Sequence, residues 1–125
     1  MKVVYKHVGL QILENDIVPF YEEVMGVVIT RTFELNEEES SKIFGISRCV
    51  TIISGKLGEE DIELFVDGWS REPSYNHVCF QTSNAEQLFK KADERGYRVY
   101  KRKGHVGITF FVSDSNGNIF EVKPL

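Results

Sequence analysis

The chain has 125 residues, of which 42% are hydrophobic and 27% are charged, and its formal net charge is −4. This length suits one domain that buries its own core and needs no disulfide or structural metal for stability. The acidic balance argues against a general nucleic-acid-binding protein, because such proteins are usually basic.

The sequence also carries no sign of export or membrane insertion. No apolar run approaches the length of a bilayer-spanning helix, and the N-terminus lacks the apolar block of a signal peptide. Cys49 and Cys79 are far apart and form no CxxC or other metal-binding spacing. We therefore expect a reduced, cytoplasmic protein with no membrane or nucleic-acid partner.

The first half of the chain predicts a strand, a helix and three further strands. Asn15 or Asp16 can cap the helix, which tolerates Pro19 only near its first turn and ends where Gly26 can form a C-cap. The polar, acidic residues 36–42 predict a loop or a short helical excursion. The segments with the composition of strands are residues 3–13, 27–35, 49–54 and 61–66.

The second half predicts the same order of elements. A turn at residues 55–58 separates the last two strands of the first half, and residues 67–73 have the composition of a linker. After the linker, Asn84 can cap a second helix that ends at Gly96. Residues 115–118 predict a tight hairpin turn, because Asn-Gly suits positive φ values. The strands of this half are predicted at residues 75–82, 97–100, 106–113 and 118–122.

The two halves also contain similar stretches of sequence. Residues 6–11 (KHVGLQ) match residues 76–81 (NHVCFQ), so that a histidine and a glutamine recur at the same spacing. Residues 61–65 (DIELF) match residues 118–122 (NIFEV), and each stretch has a glutamate between apolar neighbours. A repeat of this kind predicts two pseudo-symmetric modules that share a core or a site.

Each predicted strand has one apolar face and one face with polar groups in mid-strand. The apolar faces would pack on the helices, and the polar faces would line a concave pocket. The fold class is therefore predicted as α+β, with two βαβββ modules that form a cup-shaped mixed sheet with helices on its outer face. The modules cover approximately residues 1–68 and 74–125 of a single domain.

The polar faces bring together four ionisable groups, two from each module. A lone histidine or glutamate on a strand is more often an ordinary surface or hydrogen-bonded residue. The recurrence of a histidine and a glutamate in both modules favours a shared site. Two neighbouring carboxylates would also repel each other unless a cation lay between them. The sequence thus predicts a metal site whose ligands are His7, Glu63, His77 and Glu121.

The chain resembles the vicinal oxygen chelate superfamily along nearly its whole length. This superfamily includes glyoxalase I, methylmalonyl-CoA epimerase, fosfomycin-resistance proteins, bleomycin-binding proteins and extradiol dioxygenases. The last matching stretch is close to the superfamily's ending FF-x-D-P-x-G-N-x-x-E, with Ser115 where proline is common. The stretches that carry the resemblance are residues 7–11, 20–26, 62–64, 77–80 and 110–121.

The resemblance implies a cup-shaped sheet around a divalent metal ion held by the same four residues. The His-Glu-His-Glu set is that of bacterial-type glyoxalase I. The epimerase tends to have glutamine at the position of Glu63, fosfomycin-resistance proteins use two histidines and the final glutamate, and bleomycin-binding members generally lack the ligands. Imidazole and carboxylate ligands suit Zn, Ni, Co, Mn or Fe and do not choose among them.

The resemblance further implies a metal-dependent lyase or isomerase of the glyoxalase I type. Such an enzyme converts the thiohemiacetal of a 2-oxoaldehyde to a 2-hydroxyacyl thioester, with Glu121 as the candidate catalytic base and Glu63 as its partner. The alternatives are an enzyme like methylmalonyl-CoA epimerase and a non-catalytic binding protein for an antibiotic or metabolite. Members of this length are often homodimers, and the ligands of one site can come from one chain or from two.

Two further groups of residues are candidates for the substrate pocket. Basic side chains at residues 98–103 could meet a carboxylate or phosphate of a substrate, or form a solvated hairpin. Aromatic side chains could line the cavity, although such residues more often belong to a core. The aromatic candidates are Phe65, Trp69, Tyr75 and Phe111.

Overall fold

The fold consists of two modules, each built around a four-stranded mixed sheet. The computed structural model describes residues 1–68 and 72–125. The first module contains the strands β1 (His7–Ile12), β2 (Val28–Leu35), β3 (Val50–Leu57) and β4 (Glu60–Val66). The second module contains the strands β5 (His77–Thr82), β6 (Arg98–Gly104), β7 (Gly107–Ser113) and β8 (Ile119–Pro124).

The strand order is the same in both modules: β1-β4-β3-β2 in the first and β5-β8-β7-β6 in the second. In each sheet the pair that contains the edge strand β1 or β5 is parallel, and the other pairs are antiparallel. The helical elements are a 3-10 turn (Glu14–Asp16), a π-helical segment (Ile17–Glu22), α1 (Glu37–Phe44) and α2 (Ala85–Glu94). This architecture confirms the predicted α+β fold class.

The core is shared between the modules. Phe20 of the π-helical segment packs against Tyr97 and Phe120 of the second module, with ring centroids 4.8 and 5.9 Å apart. Tyr21 contacts the same Phe120 ring at 6.1 Å. Aromatic side chains bury large apolar areas, so this cluster fixes the first module's helical segment on the outer face of the second module's sheet.

A buried network of hydrogen bonds reinforces this junction. The Tyr21 hydroxyl donates to Asp114 at 2.6 Å. The Asp16 carboxylate accepts from the Ser115 amide and hydroxyl at 2.7 and 2.8 Å and from the Tyr97 hydroxyl at 3.1 Å. Burial raises the pKa of Tyr97 to about 12 and also raises the pKa of Tyr21. Both phenols therefore remain neutral donors at physiological pH.

The network explains why the predicted first helix cap was wrong. Asp16 makes no capping hydrogen bond, because its carboxylate is occupied by the second module. Asn84 does not cap α2 through its side chain either. By contrast, Asn36 accepts from the Glu39 amide at 2.8 Å and caps α1, which establishes the helical alternative for residues 36–42.

Several predicted boundaries also differ from the structure. The edge strands β1 and β5 begin only at the histidines, because their ladders with β4 and β8 begin there. β3 continues through residues 55–57, which were predicted as a turn, and the chain reverses at Gly58, whose φ is 62°. Likewise, β6 extends to Gly104 and contains the whole basic run at residues 98–103.

The turn between β7 and β8 is held by a side chain and is not the predicted tight turn. A tight Asn-Gly turn needs positive φ at both central residues, and here Gly117 has it (85°) while Asn116 does not. The Asp114 carboxylate instead accepts from the Asn116 and Asn118 amides at 2.9 and 2.8 Å. Their side-chain amides both donate to the Gln11 carbonyl, which ties the turn to β1.

The structure also bears on the cysteines and on membrane-spanning segments. Cys49 and Cys79 are both free and exposed. Within residues 1–68 and 72–125, no helix combines the length and the apolar character that crossing a membrane would require.

Candidate metal centre

Each module holds one histidine–glutamate pair on the same face of its sheet. The distance from Nε2 of His7 to Oε1 of Glu63 is 3.2 Å, and the distance from Nε2 of His77 to Oε1 of Glu121 is also 3.2 Å. We call the face of each sheet that carries these residues the inner face. The opposite faces carry the apolar residues of the shared core.

The strand register explains why the two pairs are alike. Gly9, two residues after the first histidine, pairs with Glu63, and Cys79, two residues after the second histidine, pairs with Glu121. Because side chains alternate along a strand, each histidine lies on the same face as the glutamate of the neighbouring parallel strand. The repeated residues therefore occupy equivalent positions in the two sheets.

The two pairs are also equally accessible. The side chains of His7 and His77 are 46% and 43% exposed, and those of Glu63 and Glu121 are 19% and 20% exposed. Each imidazole therefore reaches solvent while the carboxylate beside it is partly sheltered. A dissolved ion can approach both members of a pair.

The pair geometry fits two ligands of one ion. Two ligand atoms that each lie about 2.1 Å from a metal are about 3.0 to 3.4 Å apart for octahedral or tetrahedral angles. In the second module, Nδ1 of His77 lies 2.9 Å from the Tyr75 carbonyl, which can only accept a hydrogen bond. In the neutral ring, Nε2 then points a lone pair at the Glu121 carboxylate, and a cation between them satisfies both.

The second carboxylate oxygen of each glutamate has a different neighbour. Oε2 of Glu121 forms an ion pair with Lys123 at 3.1 Å, and the hydrogen bond from Lys123 lowers the pKa of Glu121 below its ordinary value. Oε2 of Glu63 instead accepts from the Ser54 hydroxyl at 3.5 Å. The two His–Glu pairs are therefore pseudo-symmetric, but the residues that contact their glutamates differ between the modules.

Sequence reasoning missed Lys123 and Ser54. A signal was present for the lysine, because a residue two positions after Glu121 lies on the same face of its strand. Ser54 comes from β3, and its approach to Glu63 depends on the β3–β4 register, which the sequence alone does not reveal.

A single chain does not bring the four predicted ligands together. In the part of the chain that the structure describes, no three histidine, cysteine, aspartate or glutamate side chains lie close enough to hold a metal ion. His7 meets Glu63, and His77 meets Glu121, but the two pairs remain separate.

The basic run of β6 is divided between the two faces of the sheet. Arg98, Tyr100 and Arg102 lie on the inner face, where Phe111 and the two arginines line a cavity of about 270 Å³. Neither arginine has an ion-pair partner among the described residues. Lys101 lies on the outer face, with Nζ 5.5 and 5.8 Å from two aromatic ring centroids. Half of the run is therefore directed toward the candidate site.

The aromatic candidates also separate into groups. Phe65 and Phe111 line pockets on the inner faces of the first and second modules. Tyr75 is 99% exposed and belongs to no core, because β5 begins two residues later. Trp69 lies outside the described residues.

Comparison with known proteins supports the fold. No family model matches the sequence, and no curated protein matches it. Among solved structures, the fosfomycin resistance protein FosX from Listeria monocytogenes has a TM-score of 0.76 at 14% identity, over 100% of this chain and 95% of that one. FosX from Mesorhizobium loti has a TM-score of 0.70 at 14% identity, over 98% and 92% of the two chains.

A glyoxalase family protein from Bacillus anthracis has a TM-score of 0.68 at 20% identity, over 99% of this chain and 96% of that one. The Listeria protein has also been crystallised with Mn(II) and sulfate, and a glutamate-to-glutamine variant of it with Mn(II) and 1S,2S-dihydroxypropylphosphonic acid. At these identities the likeness shows the fold, and the chain accordingly has the fold of the vicinal oxygen chelate superfamily, as the sequence resemblance predicted.

Proposed function

We propose that the chain is a metal-dependent lyase or isomerase of the glyoxalase I type, with an active site that forms between two copies of the chain. His7 and Glu63 of one copy would bind a divalent ion together with His77 and Glu121 of the partner subunit. The observation that carries the proposal is the presence of two matched His–Glu pairs that stay apart within one chain.

The position of the pairs in the sheets supports a site between subunits. His7 and His77 begin β1 and β5, and both strands lie at the edge of their sheets. An edge strand has a row of unpaired backbone groups along one side, so it is a natural place for a second copy to approach. A two-fold dimer would bring one pair from each chain together twice and form two equivalent sites.

The chemistry of the ligand set suits proton transfer next to a carbonyl group. A bound divalent ion would act as a Lewis acid toward neighbouring substrate oxygens. Glu121 removes the proton from the carbon that bears the thiol sulfur and returns it to the adjacent carbon, so that a thiohemiacetal becomes a 2-hydroxyacyl thioester. Lys123 holds the second oxygen of this carboxylate and orients it, and Glu63 is the partner in the other half of the site.

Metal analysis and a turnover assay test this proposal together. We expect one tightly bound divalent ion per chain, loss of that ion on chelation, and metal-dependent isomerisation of methylglyoxal–thiol adducts. The Glu121→Gln variant should keep the fold and lower kcat at least about a hundredfold, since general-base catalysis typically contributes that much. A protein that binds no divalent ion at micromolar concentration would contradict the proposal.

A second candidate function is fosfomycin resistance. It is favoured by Arg98 and Arg102 on the inner face, which have no ion-pair partner among the described residues and suit an anionic substrate, and by the likeness to FosX. The Glu63→Gln variant separates the two functions. The superfamily's fosfomycin enzymes use two histidines and the final glutamate, so turnover of fosfomycin with Mn(II) should survive this change, whereas glyoxalase turnover should not.

A further inference from the structure

A small pocket lies on the inner face of the first module beside the candidate metal centre. Its volume is about 190 Å³, and α1 closes one side of it. Phe44 of α1 packs edge-to-face on Phe65 of β4, with ring centroids 5.2 Å apart. Gly9 forms part of the floor, where a side chain would meet the Phe65 ring at 3.1 Å.

The pocket adjoins the proposed site directly. Gln11 pairs with Phe65 in the β1–β4 ladder, and Gly9 pairs with Glu63. Two residues along a strand span about 7 Å, so the pocket begins that far from the metal-binding carboxylate. A substrate held at the metal centre can therefore place a side group in it.

One polar group in this pocket has no partner. The side-chain amide nitrogen of Gln11 is buried, and it forms no hydrogen bond with any described residue. Buried polar side-chain atoms almost always have a hydrogen-bond partner. The pseudo-equivalent Gln81 is exposed, so the strand position itself does not demand this burial.

Apart from Gln11, Ser40 and Asp67, the described side chains that line the pocket are apolar. Asp67 is the one acidic residue among the described residues that line it, and its carboxylate is paired with Arg48 at 2.6 Å. The backbone of Gln11 is fixed, because Asn116 and Asn118 donate to its carbonyl at 2.9 and 2.8 Å. A charged ligand group would find no free counter-charge among the described residues that line the pocket. An oxygen acceptor would be met by the Gln11 amide after that side chain rotates toward the pocket, because the nitrogen itself is out of contact with solvent.

We infer that this pocket binds an uncharged apolar group of the substrate that carries one oxygen acceptor, and that the Gln11 amide donates a hydrogen bond to that oxygen. The volume equals that of about six water molecules, which limits the group to roughly six non-hydrogen atoms. A short acyl or cyclic ketone group has this chemistry. The identification of the occupant as substrate rests on the proposed function.

Two probes of equal shape test the inference. Cyclopentanone and methylenecyclopentane differ only in that a methylene group replaces the carbonyl oxygen. They are titrated into the 125-residue chain while NMR follows the Gln11 side-chain amide and the Gly9 backbone amide. We expect both resonances to shift and the ketone to bind about five- to tenfold more tightly, the effect of one hydrogen bond.

Variants then assign the preference to the amide. The Gln11→Leu variant should bind both probes equally, and Gln11→Met provides the same test if the leucine variant does not fold. Gln81→Leu is the matched control and should keep the ketone preference. Equal binding of the two probes to the unmodified chain, or a preference that survives Gln11→Leu, would overturn the inference. Because this readout uses neither metal nor turnover, its failure is distinct from failure of the proposed function.

Discussion

At the scale of single residues, the buried carboxylate of Asp16 joins the two modules. A buried charge is tolerated only when hydrogen bonds replace its lost hydration. Asp16 accepts three, from the amide and hydroxyl of Ser115 and from the hydroxyl of Tyr97. Its removal would leave all three donors without their acceptor.

We therefore expect Asp16→Ala to lower the free energy of unfolding by about 3 kcal/mol, since several partly buried donors lose their acceptor at once. Urea denaturation of the two proteins measures the difference. Glu38→Ala is the control, because among the described residues Glu38 forms only an exposed ion pair with Lys42 on α1, and its loss should change stability little. Equal effects of the two substitutions would show that the network does not hold the modules together.

The same network predicts a loss of stability in alkali. The folded pKa of Tyr97 is raised by burial from 10.0 to about 12, and that of Tyr21 is raised as well. The unfolded chain therefore releases these protons first, and stability that is complete below pH 10 falls as the pH rises toward 12. Urea midpoints between about pH 9 and about pH 11 should show the decline. This fall in the urea midpoint should be smaller in the Tyr97→Phe variant and unchanged in the exposed control Tyr5→Phe.

At the scale of the elements, Gly55 lets β2 and β3 approach each other. It pairs with Ile29 beside a β-bulge, and a methyl group on it would lie 2.8 Å from Cγ1 of Val27 and 2.9 Å from the carbonyl oxygen of Val28. The second of these contacts is with backbone and cannot yield easily. The strand therefore requires glycine here on steric grounds.

We expect Gly55→Ala to destabilise the protein by about 2 kcal/mol through overpacking. Gly9→Ala is the matched control, because its methyl group would meet only the edge of the Phe65 ring, which can move. Its effect on the thermal midpoint should be less than half as large. A smaller effect at Gly55 than at Gly9 would mean that β2 shifts freely, against the close strand contact.

The elements also show what could be predicted from sequence. Alternation along a strand is local, so the faces that carry the histidines and the glutamates followed from the residues. Their pairing within each module depends on the β1–β4 and β5–β8 registers, which the sequence alone does not reveal. The predicted cap at Asp16 was wrong because distant donors occupy its carboxylate, and the predicted tight turn at Asn116 was wrong because the Asp114 side chain holds the turn. The acceptor of the Ser115 amide lies 99 positions away in the chain, and such competition leaves no local pattern.

At the scale of the whole molecule, the arrangement of the two modules decides whether a site can form. The sequence predicts four ligands. Whether these ligands meet depends on the packing of the two modules, and the aromatic core and the buried hydrogen-bond network determine that packing. That packing keeps the pairs apart in one chain, and the two-chain site that we propose would bring all four ligands together.

This arrangement predicts that two inactive variants restore activity when mixed. In a shared site, a dimer of one His7→Ala chain and one His77→Ala chain has one site with both defects and one site with none. When equal amounts are refolded together, about half of the dimers contain one chain of each variant. One of the two sites in each mixed dimer is intact, so about a quarter of the original turnover and metal binding should return. Both histidines are substantially exposed, so each substitution should preserve the fold.

The matched control mixes His7→Ala with Glu63→Ala. These changes fall in the same half of the site, so every site in every dimer keeps a defect and nothing should return. Recovery in this control would point to ligands outside the four. No recovery in the first mixture, with dimers confirmed by sedimentation, would place a complete site within one chain. Bound metal is measured beside turnover and gives an answer that does not depend on the choice of substrate, because metal binding requires only the four ligands.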